Sequence, residues 1–145
     1  MAYPNTVREL SEHEDYSFGL TFPLTYNNLL GGFFPTSKTL REQVSSNIKN
    51  LLLTAKGERV GQPEFGTDVT SILFEPITPD IGSKLEASIT DGISKWLPYV
   101  TIQNIFVSTP DNQPNSVIIS IEFSVDIEDP DVVETITFNF NTVEE

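Results

Sequence analysis

The chain of 145 residues has no cysteine and a single histidine, His13. Without thiols there is no disulfide framework, thiolate zinc site or cysteine nucleophile. One imidazole cannot build a histidine metal cluster or a Ser-His-Asp triad. His13 lies in an acidic stretch and reads as exposed. Apolar runs such as Leu51-Leu52-Leu53 and Val117-Ile118-Ile119 fall far short of a membrane span. Met1–Leu20 is acidic and lacks an apolar h-region, so no Sec signal is expected. Basic residues are absent from the last third. All 8 Lys and Arg lie within Met1–Lys95, beside 12 acidic residues, whereas Trp96–Glu145 holds none beside 9 acidic ones. A segment without cations cannot neutralise phosphates, which argues against nucleic acid and against an anionic membrane surface there. The net charge of −13 fits either a basic protein partner or high solubility.

What is present suits one domain of α+β class preceded by an arm. Residues 1–38 lack helical periodicity but carry Tyr3, Tyr16, Phe18, Phe22, Tyr26, Phe33 and Phe34. That aromatic content is too high for an ordinary disordered tail. Phe18, Leu20 and Phe22 alternate, as in a short strand. The segment either packs on its own domain or lies as an extended arm on a neighbour. Residues 39–145 read as a single domain. Leu40, Val44, Ile48, Leu51 and Leu52 keep a 3.6-residue period and predict a helix over Thr39–Ala55. Thr39 and Glu42 supply a capping box, Lys56 suits the negative dipole end, and Gly57 can turn left-handed. Gly57–Gly66 is a turn-rich loop. A short helix holds Val69, Ile72, Leu73 and Phe74, with Thr67 or Asp68 as cap and Pro76 as stop. Thr78-Pro79 opens a second long helix, with Ile81, Leu85, Ile89, Ile93 and Trp96-Leu97 on its apolar stripe and Pro98 at its end. Gly82 and Gly92 each weaken it by about 1 kcal/mol relative to Ala.

The remainder reads as strands. Val100–Ser108 is β-rich, with Ile105 and Val107 on one face. Val117, Ile119, Ile121, Phe123, Val125 and Ile127 alternate with Ile118, Ser120, Glu122, Ser124 and Asp126, the period of a half-buried antiparallel strand. After Glu128-Asp129-Pro130-Asp131, Ile136, Phe138 and Phe140 alternate with Thr135, Thr137 and Asn139. The last two strands therefore form a long hairpin over 116–141. Two amphipathic helices on a mostly antiparallel sheet are the expected architecture.

Candidate chemistry is thin. Glu64, Asp68 and Glu75 are the only plausible acid and base groups, and a carboxylate-dependent peptidoglycan hydrolase is the alternative they raise. Asp68 has a structural use as a helix cap, and Glu64 and Glu75 also suit solvent. Asp126-x-Glu128-Asp129-x-Asp131 lacks the glycine and distal glutamate of an EF-hand and reads as a turn. No phosphate-cradling loop is present, because Gly57–Gly66 lacks a Gly-Lys-Ser/Thr ending. No catalytic residue, metal, cofactor or small-molecule substrate is assigned. The last strand, Val132–Thr142, has no Pro, Lys or Arg, the usual protection of a sheet edge, and Glu134 is its one charge. Its edge is either paired within the domain or free to take a partner's strand by β-augmentation.

The stretch Gly57-Glu58-Arg59-Val60-Gly61-Gln62-Pro63-Glu64-Phe65-Gly66, followed by Leu73-Phe74-Glu75, resembles the contractile-tail baseplate wedge and sheath-initiator family. That family is typified by the T4 phage gene 25 product and the type VI secretion protein TssE. The motif positions are Arg59, Pro63, Glu64, Phe65, Gly66, Phe74 and Glu75. The resemblance runs from about Leu40 to Asn141. It implies a non-enzymatic virion part in the tail baseplate, assembled in the host cytoplasm, or its secretion-system counterpart. It also implies a terminal hairpin similar to the handshake module of sheath subunits, with Val132, Glu134, Ile136, Phe138, Phe140, Ile119, Ile121 and Phe123 on the sheath side. The implied partners are the tail sheath protein and other wedge and hub-proximal proteins. Where the family carries Glu-Pro-Arg after the second helix, this chain has Leu97-Pro98-Tyr99. With the Glu and Arg gone, the wedge-core contact is either lost at this point or becomes an apolar one through Trp96, Leu97, Pro98 and Tyr99. The family's "lysozyme-like" label finds no supporting residues.

Overall fold

The computed structural model describes residues 17–24, 34–76, 78, 80–110, 116–125 and 131–141. The chain divides into two compact units, Met1–Asn50 and Leu51–Glu145.

In the first unit, strands β1 (Gly19–Leu20) and β2 (Thr36–Ser37) form a short antiparallel ladder. It lies against helix α1, which spans Leu40–Leu53. The Phe22 N–H donates to Ser46 Oγ (3.2 Å), and Ser37 Oγ donates to Gln43 Oε1 (2.6 Å). Gly19 allows this approach, since a Cβ there would stand 2.5 Å from Gln43 Oε1. The expected cap is present but shifted. Thr39 Oγ1 accepts the Glu42 N–H (3.2 Å), while the Glu42 carboxylate reaches the Lys38 N–H (3.0 Å) rather than that of Thr39. Val44, Ile48, Leu51 and Leu52 are buried, as the 3.6 period predicts. The helix stops at Leu53, two residues before the expected end, because Ala55 leaves to form a parallel bridge with Thr67.

In the second unit, helix α2 spans Val69–Leu73 and α3 spans Ile81–Trp96. Asp68 holds the N-cap position of α2, but its side chain makes no capping bond. It pairs with Lys56 Nζ instead, so the expected side-chain cap is not made. The second long helix begins later than Thr78-Pro79. The Thr78 carbonyl accepts the Ile81 N–H in a turn (3.0 Å), which puts Asp80 at the N-cap, again without a side-chain bond. Ile81, Leu85, Ile89, Ile93 and Leu97 are buried, each burial contributing about 1.5–3 kcal/mol.

Strands β3 (Val100–Ser108), β4 (Ser116–Val125) and β5 (Glu134–Asn141) form an antiparallel sheet in the order β3-β4-β5. The central strand supplies the core: Val117, Ile119, Ile121, Phe123 and Val125 are all buried. Ile121 lies opposite Ile136 and Ile119 opposite Phe138, and both partners on β5 are buried too. The sheet is covered in part by α3, which packs on β3, and α2 packs on α3. On β3 the half-buried residues are Ile102, then Ile105 and Val107. This change of parity comes from a register shift between Ile102 and Asn104, with Gln103 as the extra residue. A bulge of one residue moves every later side chain to the other face. Glu134 begins the last strand, so Val132 and Val133 precede it and are exposed. The architecture is α+β, as the order of periodicities predicts. His13, the rest of residues 1–16, Ile127 and Thr142 lie outside the described residues.

Candidate functional site

Two features stand out in the second unit: the loop 57–66 and the edge of β5.

The loop is stitched to itself. The Gly57 N–H donates to the Pro63 carbonyl (2.7 Å), Gln62 to Arg59 (3.2 Å) and Phe65 to Gln62 (3.0 Å). The Glu58 carboxylate folds back to accept the Ala55 N–H (3.0 Å). Two glycines make this path possible. Gly57 has φ +88 and Gly66 φ +116, a region that other residues avoid. Gly66 also runs so close to α1's exit that a Cβ would stand 2.4 Å from the Thr54 carbonyl oxygen. The Thr67 N–H donates to that same carbonyl (3.0 Å), and Thr67 Oγ1 to the carbonyl of Leu52 (3.3 Å).

The loop then docks on the last turn of α3. The Arg59 guanidinium lies 3.8 Å from the centre of the Phe65 ring, a cation–π distance. Phe65 meets Trp96 edge-on, with ring centres 5.2 Å apart at 62°. Lys95 Nζ sits 5.2 Å from the Trp96 ring and pairs with Glu64 at 2.9 Å. Arg59, Glu64 and Phe65 of the motif are thus brought to Trp96 of the expected wedge-core contact. Pro98 is exposed and Tyr99 half-buried beside them in sequence, whereas Leu97 turns into the core at 7% exposure. Pro63 is exposed in the loop, and Val60 at its tip is fully exposed. Phe74 and Glu75 are not part of this cluster: Phe74 is exposed after α2, and Glu75 pairs with Lys84 at 2.9 Å. Lys95 and Val60 were not legible as site residues, since Lys95 meets a residue 31 positions away and Val60 carries no periodicity.

The carboxylates do not converge. Glu64, Asp68 and Glu75 each pair with a different lysine, Lys95, Lys56 and Lys84. The hydrogen bond from Lys95, and then its charge, hold the Glu64 carboxyl below its ordinary value. A general acid needs the opposite shift. Glu75 in turn raises the Lys84 ammonium, chiefly by its hydrogen bond. Among the described residues, no group of three or more His, Cys, Asp or Glu is placed to hold a metal, and no helix is long and apolar enough to cross a membrane. Of the acidic turn, residues 126–130 lie outside the described residues.

The second feature is main chain rather than side chain. Ile119, Ile121, Phe123, Ile136 and Phe138 are buried in the core, Phe140 and Glu134 are half-buried, and Val132 is exposed. Phe138 and Phe140 stack with ring centres 6.1 Å apart. Among the described residues, β5 pairs with β4 along one edge and with no strand along the other.

Residues 38–129 match the family model described as baseplate wedge protein gp25. The chain belongs to the gp25 baseplate wedge family. It is 31% identical over 93 residues to baseplate wedge protein gp25 of Enterobacteria phage T4, covering 64% of this chain and 69% of that one. Two solved structures share the gp25-type fold at low identity. One is a Geobacter sulfurreducens protein provisionally described as a tail lysozyme (TM-score 0.63, 22% identity, 73% of this chain and 94% of that one). The other belongs to the type VI secretion baseplate complex (TM-score 0.53, 16% identity, 70% and 93%). The gp25 match includes the 57–66 loop, α3, β3 and β4, and stops before β5.

Proposed function

We propose that this gp25-family chain is a structural, non-enzymatic part of a contractile-tail baseplate wedge in the virion, assembled in the host cytoplasm. It starts the sheath by giving the first ring of sheath subunits an edge to pair with. The observation that carries this reading is the outer edge of β5, which no strand among the described residues covers. Of the sheet's two outer strands, β3 is interrupted by the Gln103 bulge, a common protection of edges. In contrast, β5 keeps unbroken register with β4 over eight residue pairs, from Ser116–Asn141 to Phe123–Glu134. Main-chain hydrogen bonds from such an edge supply affinity without needing exposed apolar side chains. That matters here, because Ile119, Ile121, Phe123, Ile136 and Phe138 of the hairpin are spent on the core.

The loop cluster supports the second half of the reading. Arg59, Phe65 and Trp96 combine arginine and aromatic groups, the composition of protein-binding hot spots, on a loop held rigid before binding. Together with Pro98 and Tyr99, which follow Trp96 in sequence, they are assigned to the wedge core or hub-proximal proteins. The carboxylates carry no comparable support for hydrolysis.

Electron cryomicroscopy of the extended particle tests the proposal. The expected result is a sheath strand hydrogen-bonded along Glu134–Asn141. Because the chain is free of cysteine, an Asn139→Cys variant also gives a background-free disulfide trap against single cysteines in the sheath strand. A bare β5 edge, or one covered by something other than sheath, overturns the sheath-initiator reading.

A further inference from the structure

The β1–β2 ladder buries one of its two faces and leaves the other bare. Gly19 and Ser37, one of its residue pairs, face α1: Ser37 is fully buried and donates to Gln43 Oε1 (2.6 Å). Leu20 and Thr36, the next pair, point the opposite way by the alternation of a strand, and both are exposed, Leu20 at 45%. The Thr21 N–H donates to the Pro35 carbonyl (3.1 Å), which keeps the two segments paired beyond the ladder. There Leu24 and Phe34 are 49% and 51% exposed. Three large apolar side chains thus reach solvent from one short element. The element is fastened to α1 by the Phe22 N–H to Ser46 (3.2 Å) and by Ser37 to Gln43, so they are presented on a support that binding does not have to order.

Charge is arranged around this surface. From Tyr16 to Ser37 the chain has no charged residue, the longest such run in the sequence. Single exposed apolar residues are ordinary, but aromatic and aliphatic side chains grouped where charge is excluded have the composition of an interface core. Glu9, Glu12, Glu14 and Asp15 precede the run in sequence. A partner that covers the run therefore meets carboxylates at its Ser17 end, and a basic rim is complementary there. A second copy of this chain offers the wrong sign, with a net charge of −13. The ladder also precedes residues 38–129, the part matched to the gp25 model, and belongs to neither the loop cluster nor the β5 edge.

We infer that Leu20, Leu24 and Phe34 form a further docking surface, which takes an apolar groove of another protein whose rim carries Lys or Arg beside the segment Glu9–Asp15. This surface does not depend on strand addition at β5.

Its test places the photocrosslinker benzoylphenylalanine at position 34 of the full chain in assembled baseplates. The expected crosslink is to an apolar peptide of a different protein, with Lys or Arg close by in that partner. A crosslink to a second copy, to this chain itself or to no protein overturns the inference. Leu20→Asp combined with Phe34→Asp should lower incorporation into baseplates about tenfold. The urea midpoint and far-ultraviolet dichroism should stay those of the parent, because both side chains are exposed. Normal incorporation overturns the surface, and if the midpoint shifts the crosslink decides. Glu14→Lys combined with Asp15→Lys should lower incorporation about threefold, and less so at about 0.5 M salt. An unchanged yield overturns the basic rim.

Discussion

Lys95, in the last turn of α3, holds Glu64 of the 57–66 loop at 2.9 Å, joining positions 31 residues apart. The pair flanks the Phe65–Trp96 contact, so one salt bridge and one aromatic pair together fasten the loop to the helix. Both side chains of the salt bridge are exposed, and its worth is correspondingly small and sensitive to salt.

That pair has a pH signature. Glu64 is held below its ordinary value of 4.5 by Lys95. A carboxyl depressed in the folded state favours folding above its unfolded value, and this contribution is lost as pH falls through the folded one. Carbon-detected NMR should find the Glu64 midpoint below 4.5 and return it to the ordinary range in Lys95→Met. A midpoint above 4.5 would instead suit a general acid. Lys84 behaves with the opposite sign: Glu75 raises it above 10.5, so its contribution is complete below 10.5 and fades as pH rises through the folded value.

Gly66→Ala should destabilise the chain by roughly 2–4 kcal/mol. It combines a left-handed backbone with a Cβ 2.4 Å from the Thr54 carbonyl oxygen. Gly61→Ala is the control. No atom stands within 4 Å of its added Cβ, so its effect should stay within about 0.5 kcal/mol. Urea unfolding of the two variants measures both values. Equal losses would count against the close approach at Gly66.

Helix propensity alone favours Gly92→Ala by about 1 kcal/mol. The packing reverses this, because the new methyl would meet Thr67 Cγ2 at 2.6 Å, and overpacking costs about 1–3 kcal/mol. A net loss is expected. Thr67→Ser removes the obstructing methyl and keeps the hydroxyl that bonds Leu52, so the same change should be less costly in that background. A double-mutant cycle in urea should show coupling above about 0.5 kcal/mol.

Adjacent residues at the end of α3 should separate stability from association. Leu97→Ala empties a buried position and should cost about 2–5 kcal/mol. Trp96→Ala, at a half-buried position, should cost less in unfolding but weaken co-assembly with the wedge proteins. Urea melts and reconstitution with those proteins give the two readings. Intact co-assembly of Trp96→Ala would remove the loop face from the wedge contact.

Much of the fold was legible because its signals are local. The stripe from Leu40 to Leu52 and that from Ile81 to Leu97 are repeats of one helical turn, and the alternation from Val117 to Val125 is a repeat of one pleat. Burial follows such repeats directly. The ends of elements were less legible, because caps compete with other partners. Thr67 or Asp68 was expected to cap α2, but the Thr67 hydroxyl bonds the Leu52 carbonyl and Lys56, twelve residues back from Asp68, holds the Asp68 carboxylate. The Gln103 bulge left no mark in a run of β-formers and shows only in the pairing of β3 with β4.

The candidate sites divide the same way. Composition alone made the edge of Val132–Thr142 conspicuous, since the lack of Pro, Lys and Arg is a property of the residue string. That Ile136 and Phe138 are consumed by the core, leaving the main chain of β5 as the surface on offer, depends on pairing with β4. The loop motif was recognisable as a pattern, yet its reason lay in contacts across long separations: Gly66 against Thr54, Phe65 against Trp96, Glu64 against Lys95. Sequence by itself determined the elements, the faces they bury and the excess of negative charge, because these follow from neighbours along the chain. Tertiary structure alone decided which glycines are irreplaceable, which carboxylates are paired and which edge is left unpaired among the described residues, because each depends on groups that only folding brings together.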